Sequence, residues 1–226
     1  MNMIDLIEEI PVQKYNHNHD RRGRFSSAGN GGAIQTSHPP GKFADHGKID
    51  REAGINACAG LTHTGKKQAE KMARAAYTFT TNEYVKIRKF QQDGPPPNRI
   101  AASSNVEKFI KKSPKWNGGT LYRGIGVDRE TADTIIQNCR EGKTIGMMGT
   151  SSWSSSKKVA RMFARRQKAE VSITFVTRGK QNGTSVKYLS KYAFQDEVLC
   201  SKDARWKPTK VIETKRGYTV LCDPIG

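Results

Sequence analysis

Three short stations along the 226-residue chain carry residue types that could do chemistry together. Arg123 lies in Leu121-Tyr122-Arg123-Gly124, Ser152 and Ser154 in Ser151-Ser152-Trp153-Ser154, and Gln195 and Glu197 in Gln195-Asp196-Glu197-Val198-Leu199. A guanidinium presents a planar fork of donors that matches a phosphate or pyrophosphate. A strand fixes its direction better than a loop does. Ser152 and Ser154 stand two apart, so on an extended chain both hydroxyls point to one side; Gln195 and Glu197 share that spacing and that consequence. One carboxylate beside one amide, facing a phosphate-binding arginine, suits a glycosidic bond that breaks through an oxocarbenium-like transition state. Most glycosidases need a second carboxylate to protonate the leaving group. A leaving group that is already cationic, such as the nicotinamide of NAD, needs none, and a single glutamate then suffices. Taken singly, each station has an everyday reading: an ion-paired arginine, helix-capping serines, a solvated strand start. Their order, and their placement on or beside predicted β-structure, joins them.

The elements that must position these residues follow from periodicity. Ala69, Met72, Ala73 and Ala76 fall at helical spacing after Gly65. Asn82 caps a second short helix through Gln91, containing Tyr84, Ile87 and Arg88. Gly94–Asn98 (GPPPN) is a rigid break, and Ser104–Lys112 a third amphipathic helix. Thr120–Val127 reads as a strand, and Asp128 caps a helix that Gly142 terminates. Ser155 or Ser156 caps the next helix, with Val159, Ala160, Met162 and Phe163 facing inward. Strands follow at Val171–Thr177 and Asp196–Cys200, then a hairpin over Lys210–Asp223 that turns near Lys215-Arg216-Gly217. Helices first and β-rich segments after predict an α+β domain with a mixed or antiparallel sheet, not a βαβ repeat. Neither G-x-G-x-x-G nor a Walker-type loop is present, which disfavours a Rossmann or P-loop cofactor site.

Apolar residues make up 35% of the chain, enough for one core of moderate size. No apolar run reaches the ~18 residues of a membrane span. The first residues, MNMIDLIEEIPVQ, carry acids where a signal peptide needs Lys or Arg, so a cytoplasmic place of work is expected. Cys58, Cys139, Cys200 and Cys222 show no C-x-x-C spacing; free thiols and no metal site are expected. The net charge of +18 is unevenly placed. Residues 1–60 hold seven Lys/Arg and seven Asp/Glu, and residues 61–226 hold 32 and 14. The excess on the second part implies attraction to polyanions, without saying which. Residues 1–60 also hold eight of the 21 glycines and four of the five histidines, with no apolar periodicity after Ile10, and read as a flexible leader. His17 and His19 lack a third ligand and read as a solvated turn.

From about Lys66 to Gly226 the chain resembles the mono-ADP-ribosyltransferase exotoxin family, in its branch with an Arg–Ser–Glu triad. Thr120–Ile125 (TLYRGI) is similar to the family's first motif, and GTSSWSSSKKVARMFA to its serine motif and following helix. KYLSKYAFQDEVL is similar to its acceptor-facing loop and catalytic strand, and AAYTFTTNEYVKIRKF to its N-terminal helices. The stretch HDRRGRFSSAGN resembles the tail of phage minor head proteins, which points to a prophage origin. The resemblance implies two packed mixed or antiparallel β-sheets around an NAD cleft, with N-terminal helices, over residues 61–226. It implies that Arg123, with Gly124 beside it, binds the NAD phosphates, that Ser152 orients Glu197, and that Ser154 supports the strand. Glu197 would be the catalytic glutamate, and Gln195, with Tyr192 and Phe194, would face the acceptor. NAD would be a co-substrate and no metal would take part.

Two departures bear on the reading. Trp153 stands between the serines where the family usually has threonine, so Ser151 and Ser152 both remain candidates for the serine that orients Glu197. Gln195 replaces the first acid of the usual Glu-x-Glu, the form associated with arginine acceptors. A guanidinium must lose a proton or have its charge offset to attack, and a second carboxylate helps; a neutral amide or base amine is better oriented by Gln. With the basic domain, Gln195 favours a nucleic-acid base, stacked on Tyr192, Phe194 or Trp153, over a protein asparagine. A protein acceptor, water as acceptor, and a non-enzymatic basic binding module remain alternatives. An enzyme of this kind inside its own host implies an inhibitory partner such as an antitoxin.

Overall fold

The computed structural model describes residues 48–81, 84, 87–88, 91, 100–147, 149–165 and 169–225. The His17/His19 pair, the phage-like stretch and the proline break lie outside the described residues. Helices come first: α1 (Lys48–Thr62), α2 (Lys66–Phe79) and α3 (Ile100–Lys112). Tyr84, Ile87, Arg88 and Gln91 are helical as well. The inward stripe of α2 is the one its spacing predicts, with Ala69, Met72, Ala73, Ala76 and Phe79 all buried. They pack with Ile55 and Cys58 of α1 and with Val106, Phe109 and Ile110 of α3. Helix α1 falls inside the segment read as a leader, so that reading does not hold for residues 48–60. Its inward face rests on Ile55 and Cys58, and Gly54 and Gly60 interrupt the pattern that would have announced it.

The β-rich part begins with β1 (Thr120–Val127), α4 (Arg129–Arg140), β2 (Ile145–Gly146), β3 (Ser151–Ser154) and α5 (Lys157–Ala164). It continues with β4 (Val171–Arg178), β5 (Gly183–Ser185), a 3₁₀ turn (Ala193–Gln195), β6 (Glu197–Cys200), β7 (Arg205–Thr214) and β8 (Gly217–Ile225). Asp128 caps α4 through its side chain, accepting from Thr131 N at 2.8 Å, and Gly142 follows the helix at φ 69. Ser156, not Ser155, caps α5. On α5 Val159, Ala160 and Ala164 are buried, whereas Phe163 is 36% exposed, contrary to the expectation that it faces inward.

The strands form one mixed sheet in the order β2-β7-β8-β4-β1-β3-β6-β5, parallel only between β4 and β8. The expected pair of sheets is present as two ladders joined at a single rung. Strands β2-β7-β8-β4-β1 form the larger ladder and β3-β6-β5 the smaller, and the only register pair between them is Tyr122↔Ser154. Helix α4 packs under the larger ladder, where Leu121, Ile135, Ile173, Phe175, Trp206 and Val220 belong to one core. Strand β6 serves both cores: Val198 and Cys200 enter that one, and Leu199 enters the helical one. This is the two-fold alternation of a strand buried on both faces.

Candidate active site

The site lies where the two ladders part. Beyond the Tyr122↔Ser154 rung, Arg123 reaches from β1 and donates through Nη1 to the Ser152 carbonyl of β3 at 2.7 Å. Strand β3 then pairs with β6, placing Ser154 opposite Glu197 and Ser152 opposite Leu199. Ser152, Ser154 and Glu197 therefore share one sheet face, as their spacing requires. Ser151 and Trp153 take the other face. Trp153 is buried with its ring 4.7 Å from that of Trp206, and its Nε1 donates to Ser151 Oγ at 3.2 Å. Ser151 is thus engaged in the core, and Trp153 is removed from the residues that could stack on an acceptor.

Glu197 is 5% exposed. The hydroxyls of Ser152 and Ser190 hydrogen-bond to its carboxyl, and the Arg123 charge acts on it. Burial outweighs these three influences and pushes its pKa up from 4.5 to about 7. Its Oε2 is buried without a hydrogen-bond partner. A buried carboxylate oxygen left open beside a guanidinium is the chemistry that would accept a sugar hydroxyl of a dinucleotide whose phosphates the arginine holds. The residues present fit NAD in that sense. Among the described residues, no three His, Cys, Asp or Glu side chains gather as metal ligands.

Ser154 supports the neighbouring turn: its Oγ donates to the Gln195 carbonyl at 2.6 Å and accepts from Ser156 N at 3.0 Å. The expected same-side placement of Gln195 and Glu197 does not apply. The strand begins at Glu197, Gln195 lies in the 3₁₀ turn, and Asp196 between them has φ 45, which breaks the extended run. Tyr192 and Phe194 stand on the same loop with their rings 6.1 Å apart in an edge-on arrangement, and Phe194 is 44% exposed. Gly124 has a packing role. A Cβ there would sit 1.8 Å from the Ala160 carbonyl oxygen, so glycine admits the α5 backbone onto β1 and offers no side chain to the cleft.

Sequence reasoning missed Ser190. It is fully buried, its Oγ accepts from Tyr192 N at 3.0 Å, and its hydroxyl bonds to Glu197, tying the exposed loop to the carboxyl. A serine in a loop carries no periodic signal, and only the fold brings it to Glu197. Glu107 of α3 was missed too. It accepts from Ser201 Oγ at 2.8 Å, from Lys202 N at 3.0 Å and from Thr150 Oγ1 at 2.5 Å, joining the helices to the end of the β3–β6 pair. Two surface grooves, about 350 Å³ along α5 and about 700 Å³ beside α3, share no residue with the Glu197 cluster.

The fold is that of the ADP-ribosyltransferases. The Vis toxin, an ADP-ribosyltransferase from Vibrio splendidus, superimposes with a TM-score of 0.60 at 18% identity, covering 78% of this chain and 83% of that one. The ADP-ribosyltransferase HopU1 of Pseudomonas syringae pv. tomato gives 0.60 at 13% identity, covering 78% and 86%. Exoenzyme S of Pseudomonas aeruginosa, solved with human 14-3-3 protein beta and Carba-NAD, gives 0.57 at 17% identity, covering 77% and 81%. No family model and no curated protein sequence matches the chain.

Proposed function

We propose that the chain is an NAD-dependent ADP-ribosyltransferase toxin whose acceptor is a protein side chain. The observation that carries the enzymatic reading is the Glu197 carboxyl: buried, hydrogen-bonded by Ser152 and Ser190, beside Arg123, with one oxygen left open. NAD supplies the ADP-ribose and a leaving group that departs without protonation. Arg123 holds the phosphates and keeps the Ser152 backbone in place. Glu197, once ionised, offers negative charge where positive charge develops on the ribose, in a place with little water to screen it. Ser152 fixes one edge of the carboxyl, and Ser154 keeps the acceptor turn against β3. Gln195 orients the incoming nucleophile.

A protein acceptor is preferred to a nucleic-acid base on two grounds. With Trp153 in the core, the aromatics of the acceptor loop are the half-buried Tyr192 and the exposed Phe194, set edge to face and not as parallel stacking surfaces. Among proteins of this fold, exoenzyme S was crystallised with a protein partner. The excess of Lys/Arg in residues 61–226 keeps a nucleic-acid acceptor as the second reading. Where the producing cell carries the acceptor, an inhibitory partner such as an antitoxin is part of this proposal.

Nicotinamide release from NAD is expected from wild type and not from Glu197→Ala. With labelled NAD and a cell extract, the label is expected to disappear on protease treatment. Loss of label to RNase or DNase instead would move the acceptor to nucleic acid. Free ADP-ribose with no labelled macromolecule would leave a glycohydrolase.

A further inference from the structure

The loop from Lys187 to Asp196 is held at its root and at its middle. Val186 N donates to the Glu197 carbonyl at 3.0 Å, Leu189 and Ser190 are fully buried, and Lys191 N donates to Thr80 Oγ1 at 3.0 Å. Its two end residues, Lys187 and Asp196, form an ion pair in which each side chain is about one-third exposed. Asp196 is the joint between the 3₁₀ turn and β6. Its left-handed φ of 45 is one that a non-glycine residue adopts at a cost of roughly 1 kcal/mol, with Asp among the better tolerated. Its carbonyl accepts from Ser155 N at 3.2 Å.

The neighbours on either side of this joint are held very differently. Glu197 has β3 and β5 paired on both flanks of its strand, and hydroxyls from Ser152 and Ser190 on its carboxyl. Gln195 is held through its backbone: its carbonyl accepts from Ser154 Oγ and its N–H donates to the Tyr192 carbonyl at 2.8 Å. The direction of its side chain is therefore set by the turn, and the turn by the torsions of Asp196.

From this we infer that the Lys187–Asp196 pair is a positioning pair for the acceptor step. It fixes the backbone that aims Gln195, while Glu197 keeps its place without it. The inference deepens the function proposed above and rests on it. Partly exposed ion pairs contribute only about 0–1 kcal/mol to stability, so the pair's effect should appear in the partition of the reaction and not in the fold.

The test uses Lys187→Met, Lys187→Arg and Asp196→Asn, the last keeping a residue that tolerates left-handed backbone. Two rates are measured with labelled NAD: nicotinamide release in buffer, and protease-sensitive acid-insoluble label in a cell extract. Lys187→Met and Asp196→Asn are expected to lose transfer by about tenfold or more, the scale of a misaimed reacting group, with nicotinamide release and the KM for NAD within about twofold of wild type. Lys187→Arg is expected to restore transfer. Equal loss of both rates, no loss of transfer, or failure of the arginine to rescue overturns the inference. Melting temperatures unchanged across the set separate positioning from unfolding. A wild type that releases no nicotinamide overturns the underlying function instead. One that releases nicotinamide but labels nothing overturns the acceptor step and the inference with it.

Discussion

Glu197→Gln is expected to stabilise the protein, by an amount that grows with pH. Burial raises the carboxyl from 4.5 in the open chain to about 7 in the fold. A group raised in this way favours the folded state fully below about pH 4.5, and that contribution is lost as the pH climbs to about 7. By linkage, relative to low pH this titration costs the fold about 1 kcal/mol at pH 5, where only the unfolded chain ionises, and about 3 kcal/mol at pH 8. Glutamine keeps the shape and never ionises, so the difference between the two proteins should widen by roughly 2–3 kcal/mol over that interval. For a domain of this size that is a gap in melting temperature that opens by about 5–10 °C. The assay is a series of thermal melts of both proteins at half-unit steps from pH 5 to pH 8. A gap that stays flat or narrows as the pH rises would refute the claim that the carboxyl is buried at a net cost.

NAD cleavage should follow the same ionisation: kcat/KM is expected to climb about tenfold per unit below about pH 7 and then level, and a flat profile from pH 5 to 8 would count against Glu197 as the working base form. Ser190→Ala removes a hydrogen bond that favours the carboxylate, so the midpoint of that profile should move up by about one unit; a downward shift would contradict the assignment. Gly124→Ala drives a Cβ into the Ala160 carbonyl and should cost about 2–3 kcal/mol in urea unfolding, whereas Gly118→Ala, whose Cβ would make only ordinary contact with Trp116, should be near neutral. The four cysteines are buried and unpaired, with thiols pushed up by burial to about 11 for Cys58 and Cys139 and about 12 for Cys200 and Cys222. Less than one equivalent should react with a thiol reagent at pH 8 in the native protein, against four in denaturant.

What could be read from the chain was local and periodic. The α2 stripe, the Asp128 cap, the Gly142 stop and the β7–β8 hairpin each declare themselves within a dozen residues, and the structure carries all four. The two-apart serines obey strand alternation, which is why Ser152 faces Glu197 while Trp153 points away. The same rule fails at Gln195 because a single left-handed residue resets the register, and no neighbouring residue type announces that turn. Ser190 and Glu107 were illegible for another reason. Glu107 meets Ser201 and Lys202 more than ninety positions on, while Ser190 sits only seven residues before Glu197 in a loop, where no hydrophobic period fixes which way a polar side chain points. Helix α1 was hidden by a sparse apolar face interrupted by glycine.

The four residues from Glu197 to Cys200 touch both hydrophobic interiors, and one of those interiors is finished only by Trp206 and the last two strands. A ribosome delivers these pieces in order, N-terminus first. The carboxyl therefore emerges before the tail that locks its surroundings has been made. An unfinished polypeptide halted at that point would carry the carboxyl but lack the scaffold that aims it, which is complete only once β7 and β8 have been made.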